Sequence, residues 1–273
     1  MDKERRANEK LKRQFSKFLR TVESKQNGLA KEVDGTRIYF LDIVEKYAKE
    51  DGTIDDKKLR KILREIENQD DYIYDIINDE MESTIEESMN KAKRDVFTSL
   101  GVMAAGIVGG KVIFDKIKKD ALTGIGKDGN TLNKRIEKYT GNMLDEVRKA
   151  IRTGVLSGKT SGQINRDIKK AMEKESWKLK RLVGTELPNV YRRTMAELAK
   201  EGKNIKAVRI IDLRGRHPYH KKHECYRLAE QNVYGWGKGV YRPDDTYIYD
   251  PHPNCTAYFE YVFKGGDERS NEK

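Results

Sequence analysis

All four histidines and both cysteines of this chain fall between positions 217 and 255: His217, His220, His223, Cys225, His252 and Cys255. The most constrained part of that window is Asp250-Pro251-His252-Pro253-Asn254-Cys255. Two prolines fix the backbone on either side of His252, so this short loop has few conformations to choose from. Imidazole and thiol chemistry, whether used to bind or to lock a fold, is therefore confined to the last quarter of the chain. The two hundred residues before it have to be organised by hydrophobic periodicity alone.

That periodicity is helical. Leu11, Phe15, Phe18, Leu19 and Val22 follow a 3–4 spacing, which predicts an amphipathic helix over residues 1–25 that Gly28 and Gly35 interrupt. Tyr39, Leu41, Ile43 and Val44 begin another short apolar segment. Leu59, Ile62, Leu63 and Ile66 form a stripe behind Asp55 and Asp56, acids that suit a helix start. Ile73, Ile76, Ile77, Met81, Ile85 and Met89 mark a third helix with a mostly acidic outer face. With 36% hydrophobic and 37% charged residues, the 273-residue chain suits elongated helices with much exposed surface.

Residues 96–110 are the least polar stretch, too short and too glycine-rich for a membrane span. Gly110-Lys111 is followed by Val112 rather than Ser or Thr, so it is not a phosphate-binding loop. Small residues here suit close packing against a neighbouring element. The glycine-rich run 123–130 reads as a linker. Beyond it Leu132, Ile136, Tyr139 and Met143, then Leu144, Val147, Ile151 and Val155, predict a helix closed by Gly158. Thr160 and Gln163 form a capping box for the next helix, with Ile164, Ile168 and Met172 inward. A segment from Trp177 to Lys200 carries Pro188, which predicts a kink or break. The period then shortens. Residues 207–213, 247–249 and 258–263 read as strands, with a turn-rich loop at 235–239.

The expected fold is thus α+β and mostly helical: a helical arm over 1–125, a helical segment with a small β-containing unit over 130–264, and a polar tail over 265–273. Met1-Asp2-Lys3-Glu4-Arg5-Arg6 shows no signal pattern, and two cysteines do not make a secreted disulfide framework, so synthesis in a reducing cytoplasm is expected. The net charge of +11 is concentrated in the middle third, where residues 101–200 carry 22 Lys and Arg against 11 Asp and Glu. Arg166, Lys169, Lys170, Lys178, Lys180, Arg181, Arg192 and Arg193 line the helices there. Such a surplus attracts polyanions, and double-stranded DNA bound without sequence preference is the expected partner; a solvated helical face, or one that meets an acidic protein, is the plainer alternative.

The order of motifs resembles a known family. A helix bearing Gly184-Thr185-Glu186-Leu187-Pro188-Asn189-Val190-Tyr191 is followed by a strand ending Ile211-Asp212-Leu213-Arg214. Cys225-Tyr226-Arg227-Leu228 and a glycine-rich loop come next, and Pro251-His252-Pro253-Asn254-Cys255 closes the block. Over residues 130–260 this is similar to the minor head proteins of tailed phages, the Mu F-like head morphogenesis domain. Gly184 stands where that family often has Arg, and Cys255-Thr256-Ala257 where it often has Cys-Arg-Cys. The resemblance implies a non-enzymatic virion component of the head interior, associated with the portal, capsid or scaffold proteins and DNA, acting in head assembly, genome packaging or ejection. It marks Thr185, Glu186, Asp212, Pro251, His252, Pro253, Asn254 and Cys255 as the family motif.

Two further readings rest on the residues themselves. His223 with Cys225 and His252 with Cys255 make two short ligand pairs separated by a loop, a pattern that suits zinc. Alternatively the two cysteines are buried small hydrophobes, close enough to pair oxidatively, and the histidines are surface residues. From a different function class, Asp212, His217, His220 and His223 could hold a catalytic metal beside a basic surface, as in a metal-dependent nuclease.

Overall fold

The computed structural model describes residues 3–213 and 220–265. His217, the side chain of His220 and all but the first residue of the polar tail lie outside them. Within the described residues the chain is α+β and mostly helical. Helix α1 spans Lys3–Lys46, α2 Leu59–Glu67, α3 Asp70–Leu100, α4 Lys111–Thr123, α5 Leu132–Leu156, α6 Ser161–Glu201 and α7 Glu224–Glu230. Strands β1 (Ile205–Ile211), β2 (Val240–Tyr241) and β3 (Tyr258–Phe263) form one antiparallel sheet in the order β2-β1-β3. No helix among the described residues is long and apolar enough to cross a membrane.

Several local expectations change. Gly28 and Gly35 do not interrupt α1, which runs unbroken for 44 residues. Each interior glycine costs about 1 kcal/mol of helix propensity. The apolar stripe outweighs that, because Leu11, Phe15, Phe18, Val22, Leu29, Val33, Phe40 and Val44 are all buried along its length. Helix α6 likewise continues through Pro188. Residues 247–249 are not a strand; Thr246–Ile248 is a short 3-10 turn. The cap at Thr160 forms as expected on one side, its backbone N–H donating to Gln163 Oε1 at 2.9 Å.

The chain packs as two compact units, each assembled from separated segments. One comprises Met1–Ser24, Thr84–Ala121 and Val183–Lys273; the other comprises Lys25–Ser83 and Leu122–Leu182. The expected linker at 123–130 begins just after one crossing between them, and each unit takes chain from both sides of it.

The first unit holds the sheet and the histidine–cysteine window. Its core is aromatic: Phe18 stacks on Tyr191 with centroids 4.5 Å apart, and Phe15 meets Tyr191 at 5.2 Å and Tyr258 at 5.9 Å. The free edge of β3 is closed by a side chain of α1. Asn8 Nδ2 donates to the Tyr261 carbonyl and Asn8 Oδ1 accepts from the Tyr261 N–H, both at 3.0 Å. That amide takes the place of another strand, which removes two open edge groups. The small-residue stretch after α3 packs closely only in part: a Cβ at Gly109 would come within 2.9 Å of Leu198 Cδ2, whereas Val102 and Val108 are exposed. Glu201 accepts the backbone N–H groups of Val108 and Gly109 at 2.9 and 2.7 Å.

The second unit packs α2 and α5 with the remaining parts of α1, α3 and α6. Gln26 Nε2 donates to the Lys180 carbonyl at 2.7 Å, and Arg148 pairs with Asp70. Gly154 is required by close approach, since a Cβ there would lie 2.5 Å from Ile164 Cγ1.

Candidate metal centre

Pairing of Ile211 with Tyr258 brings the end of β1 beside the segment that enters β3. Asp212 follows β1 directly, and the loop 251–257 precedes β3. Helix α7 packs on β1 and carries Cys225 as its second residue. Three separate stretches of sequence thus meet at one point.

Beneath them lies Arg192 of α6, with no solvent exposure. Its Nε donates to the Tyr249 carbonyl at 2.8 Å. Its Nη1 donates to the carbonyls of Cys255 at 3.2 Å and Ala257 at 2.9 Å, and its Nη2 to Asn189 Oδ1. Asn189 in turn donates to Asp250 Oδ1 at 3.0 Å. From the preceding turn of α6, Thr185 Oγ1 accepts the Asn254 N–H at 3.1 Å. Asn254 has φ +55°, the left-handed region that asparagine tolerates better than most residues. The loop is therefore built around a buried guanidinium and a threonine hydroxyl, and both prolines serve that shape.

The product is a cluster of ligand atoms. One atom each from Cys225, His252 and Cys255 lie within 4.8 Å of one another. Both cysteines are free thiols and buried. His252 Nε2 lies 3.0 Å from Cys225 Sγ, and Nδ1 of the same ring lies 2.9 Å from the Pro253 carbonyl. Cys225 Sγ is 3.8 Å from Asp212 Oδ1. The cysteine thiols titrate in opposite directions. A hydrogen bond from Cys225 lowers Cys255 well below the usual thiol range; burial opposes this, while Arg192 and His252 reinforce it. The same hydrogen bond, with burial, pushes Cys225 up. Burial pulls His252 down most strongly, but the hydrogen bond to Cys255, the charge of Cys255 and the Pro253 carbonyl together outweigh it, and the net shift is upward.

Of the four residues expected to hold zinc, three converge. His223 is not in that group, although its ring packs edge-on against His252 with centroids 4.5 Å apart, and Asp212 also lies outside it. Asp212 is the residue the spacing argument passed over. Of the motif residues, Thr185, Glu186 and Asp212 are buried with Cys255, while Asn254 is exposed and held through its backbone.

The basic residues of α6 divide between the units. Arg166, Lys169, Lys170 and Arg181 are exposed in the second, where Lys178 and Lys180 are half-buried. Lys178 pairs with Glu175, and Lys180 Nζ donates to Asn27 Oδ1 at 3.4 Å. In the first unit Arg193 is half-buried, 3.8 Å from Asp120. Arg192 does not belong to any DNA-facing set: it is completely enclosed and all its described partners are internal.

Comparisons with protein-family models, with curated proteins and with solved structures give no match to this chain.

Proposed function

We propose that the chain is a minor structural protein of a tailed-phage head, associated with the portal and with double-stranded DNA, and acting in head morphogenesis, genome packaging or ejection. The observation that carries this reading is the hydrogen bond from Asn254 N–H to Thr185 Oγ1, across 69 residues of sequence. It joins the two stretches on which the resemblance to minor head proteins rests. Arg192 ties the same helix to the carbonyls of Cys255 and Ala257. The motif then serves to lock a helix onto a loop and sheet, a structural use that suits a virion component. The exposed cations of α6 supply a surface for phosphate contact. The nuclease alternative needs Asp212 open to a phosphate, whereas that carboxylate is buried beside Cys225.

The test is mass spectrometry of purified phage particles made by a cell carrying the gene, with co-purification on tagged portal protein. The chain should be present in far fewer copies than the major capsid protein and should be retained on the portal. Its absence from particles would overturn the assignment, as would metal-dependent cleavage of plasmid DNA by the pure protein.

A further inference from the structure

We propose that Cys225, His252, Cys255 and Asp212 form a four-ligand structural site for a divalent cation of the zinc class. The argument stands on geometry and charge and does not depend on the virion assignment.

Tetrahedral zinc has bonds of about 2.3 Å to sulfur and about 2.0–2.1 Å to nitrogen or carboxylate oxygen, so its ligand atoms lie about 3.5–3.8 Å apart. The separations here bracket that range: His252 Nε2 to Cys225 Sγ is 3.0 Å, Asp212 Oδ1 to Cys225 Sγ is 3.8 Å, and the Cys225–His252–Cys255 set lies within 4.8 Å. To make a tetrahedron the three clustered atoms close by up to about 1 Å, and Asp212, which reaches Cys225 but lies outside that three-residue group, swings in with them. Two thiolates and an imidazole favour zinc over the hard cations, which take oxygen ligands.

A second, independent observation points to Asp212. It is 8% exposed, and its Oδ2 is a buried oxygen with no hydrogen-bond partner among the described residues. An orphaned carboxylate oxygen in the interior is costly unless something positive meets it. The third observation is Arg192. Among the described residues this buried cation donates to neutral acceptors, three backbone carbonyls and one amide. A zinc ion with two thiolates, one neutral imidazole and one carboxylate carries a net charge of −1, which neutralises the guanidinium next to it. With His223 in place of Asp212 the site would be neutral and Arg192 would remain uncompensated. Binding displaces the two thiol protons to solvent.

The experiment uses the full chain without a histidine tag, reduced, reconstituted with zinc or with cobalt, and freed of excess metal. The expected result is about one zinc per chain, with a cobalt spectrum showing thiolate-to-metal charge transfer and tetrahedral ligand-field bands. Blocking thiols with a mercurial should release the zinc as two thiols react. Asp212→Asn should weaken zinc binding about 10- to 100-fold in competition with a chromophoric chelator, the scale on which even outer partners of a metal act. His223→Gln should leave affinity unchanged. Less than about a tenth of an equivalent of zinc in the reconstituted wild type, or a Cys225–Cys255 disulfide that survives metal-free reducing purification, overturns the site. Loss of affinity in His223→Gln but not in Asp212→Asn overturns the ligand assignment. Because the wild-type readouts need no variant, misfolding of Cys255→Ser cannot obscure the answer.

Discussion

Replacing Arg192 with methionine keeps most of the side-chain volume and removes every donor. Three backbone carbonyls, those of Tyr249, Cys255 and Ala257, then lose their partner in a region closed to solvent. An orphaned buried acceptor costs about 1–3 kcal/mol, which bounds the loss at about 3–9 kcal/mol. A carbonyl has a second lone pair, and water can follow the missing guanidinium, so the lower half applies: about 3–6 kcal/mol. Against a total stability of about 5–15 kcal/mol, the variant should sit near its unfolding threshold. Arg192→Lys keeps the charge but not the fork that reaches several carbonyls at once, so it should lose about half as much. The assay is urea unfolding followed by fluorescence. Trp177 belongs to one unit and Trp236 to the other, so a Trp177→Phe background leaves Trp236 as reporter of the unit containing Arg192. A loss below about 1 kcal/mol for Arg192→Met would refute the view that this cation holds the loop to α6.

Three other outcomes follow from the same geometry. Charge reversal at Lys169, Lys170, Lys180 and Arg181 should weaken binding to duplex DNA and flatten its salt dependence, and equal changes at Lys57, Lys58, Arg60 and Lys61 should do much less; filter binding over a salt series reads the difference, and equal losses from both sets would count against the α6 surface. Gly239 has φ +69° and a Cβ there would lie 2.8 Å from the Ile210 carbonyl and 3.0 Å from that of Ala229, so Gly239→Ala should cost well over the roughly 1–2 kcal/mol of Gly235→Ala, which has a similar φ but open space around it; equal urea midpoints would contradict this. Burial raises Tyr249 to about 12, Lys200 partly opposing, and burial also raises Tyr241 to about 12; because the folded values exceed the unfolded value of about 10, this stabilisation is complete below pH 10 and is lost between about pH 10 and 12, so urea midpoints that stay flat to pH 12 would exclude it.

The helices were legible because their signal is local. A 3–4 apolar stripe survives in any surroundings, and in α1 it overrode two glycines that the propensity argument treated as breaks. The sheet was legible in its long members and not in its short ones. Val240 and Tyr241 pair with β1 only because Gly239 turns the chain at positive φ beside Ile210, a tertiary fact. Residues 247–249 have the composition of a strand, yet the Tyr249 hydroxyl donates to the Pro243 carbonyl and the stretch curls into a 3-10 turn. Arg192 was assigned to a basic surface because its neighbour is Arg193 and the stretch before them is rich in lysine. A signal against that was present: residues 182–191 carry a single charge, at Glu186, and a helix apolar on every side is a buried helix. A cation following such a segment is more readily a core group with internal acceptors than a phosphate contact.

The site itself shows where spacing arguments stop. His-x-Cys and His-x-x-Cys are regular enough to suggest two ligand pairs, and proximity in sequence favoured His223. Proximity in space is set by something else: β1 pairs with β3, α7 packs on β1, and the residue brought beside Cys225 is Asp212, thirteen positions before it. The sequence marked that carboxylate only as a motif residue and as part of the histidine set of the nuclease reading, not as a partner of the cysteines, because an acid at a strand end is ordinarily a turn residue. What singles it out is a balance over the whole enclosed volume. Among the described residues, a guanidinium whose acceptors are neutral, a carboxylate oxygen without a donor, and two thiols beside an imidazole are each unfavourable alone in the interior. A single divalent cation turns the thiols into thiolates, gives the carboxylate its partner and leaves one net negative charge to answer Arg192. The same ion would pin the end of β1, the start of α7 and the entry to β3, three points on a sheet whose second strand is only two residues long.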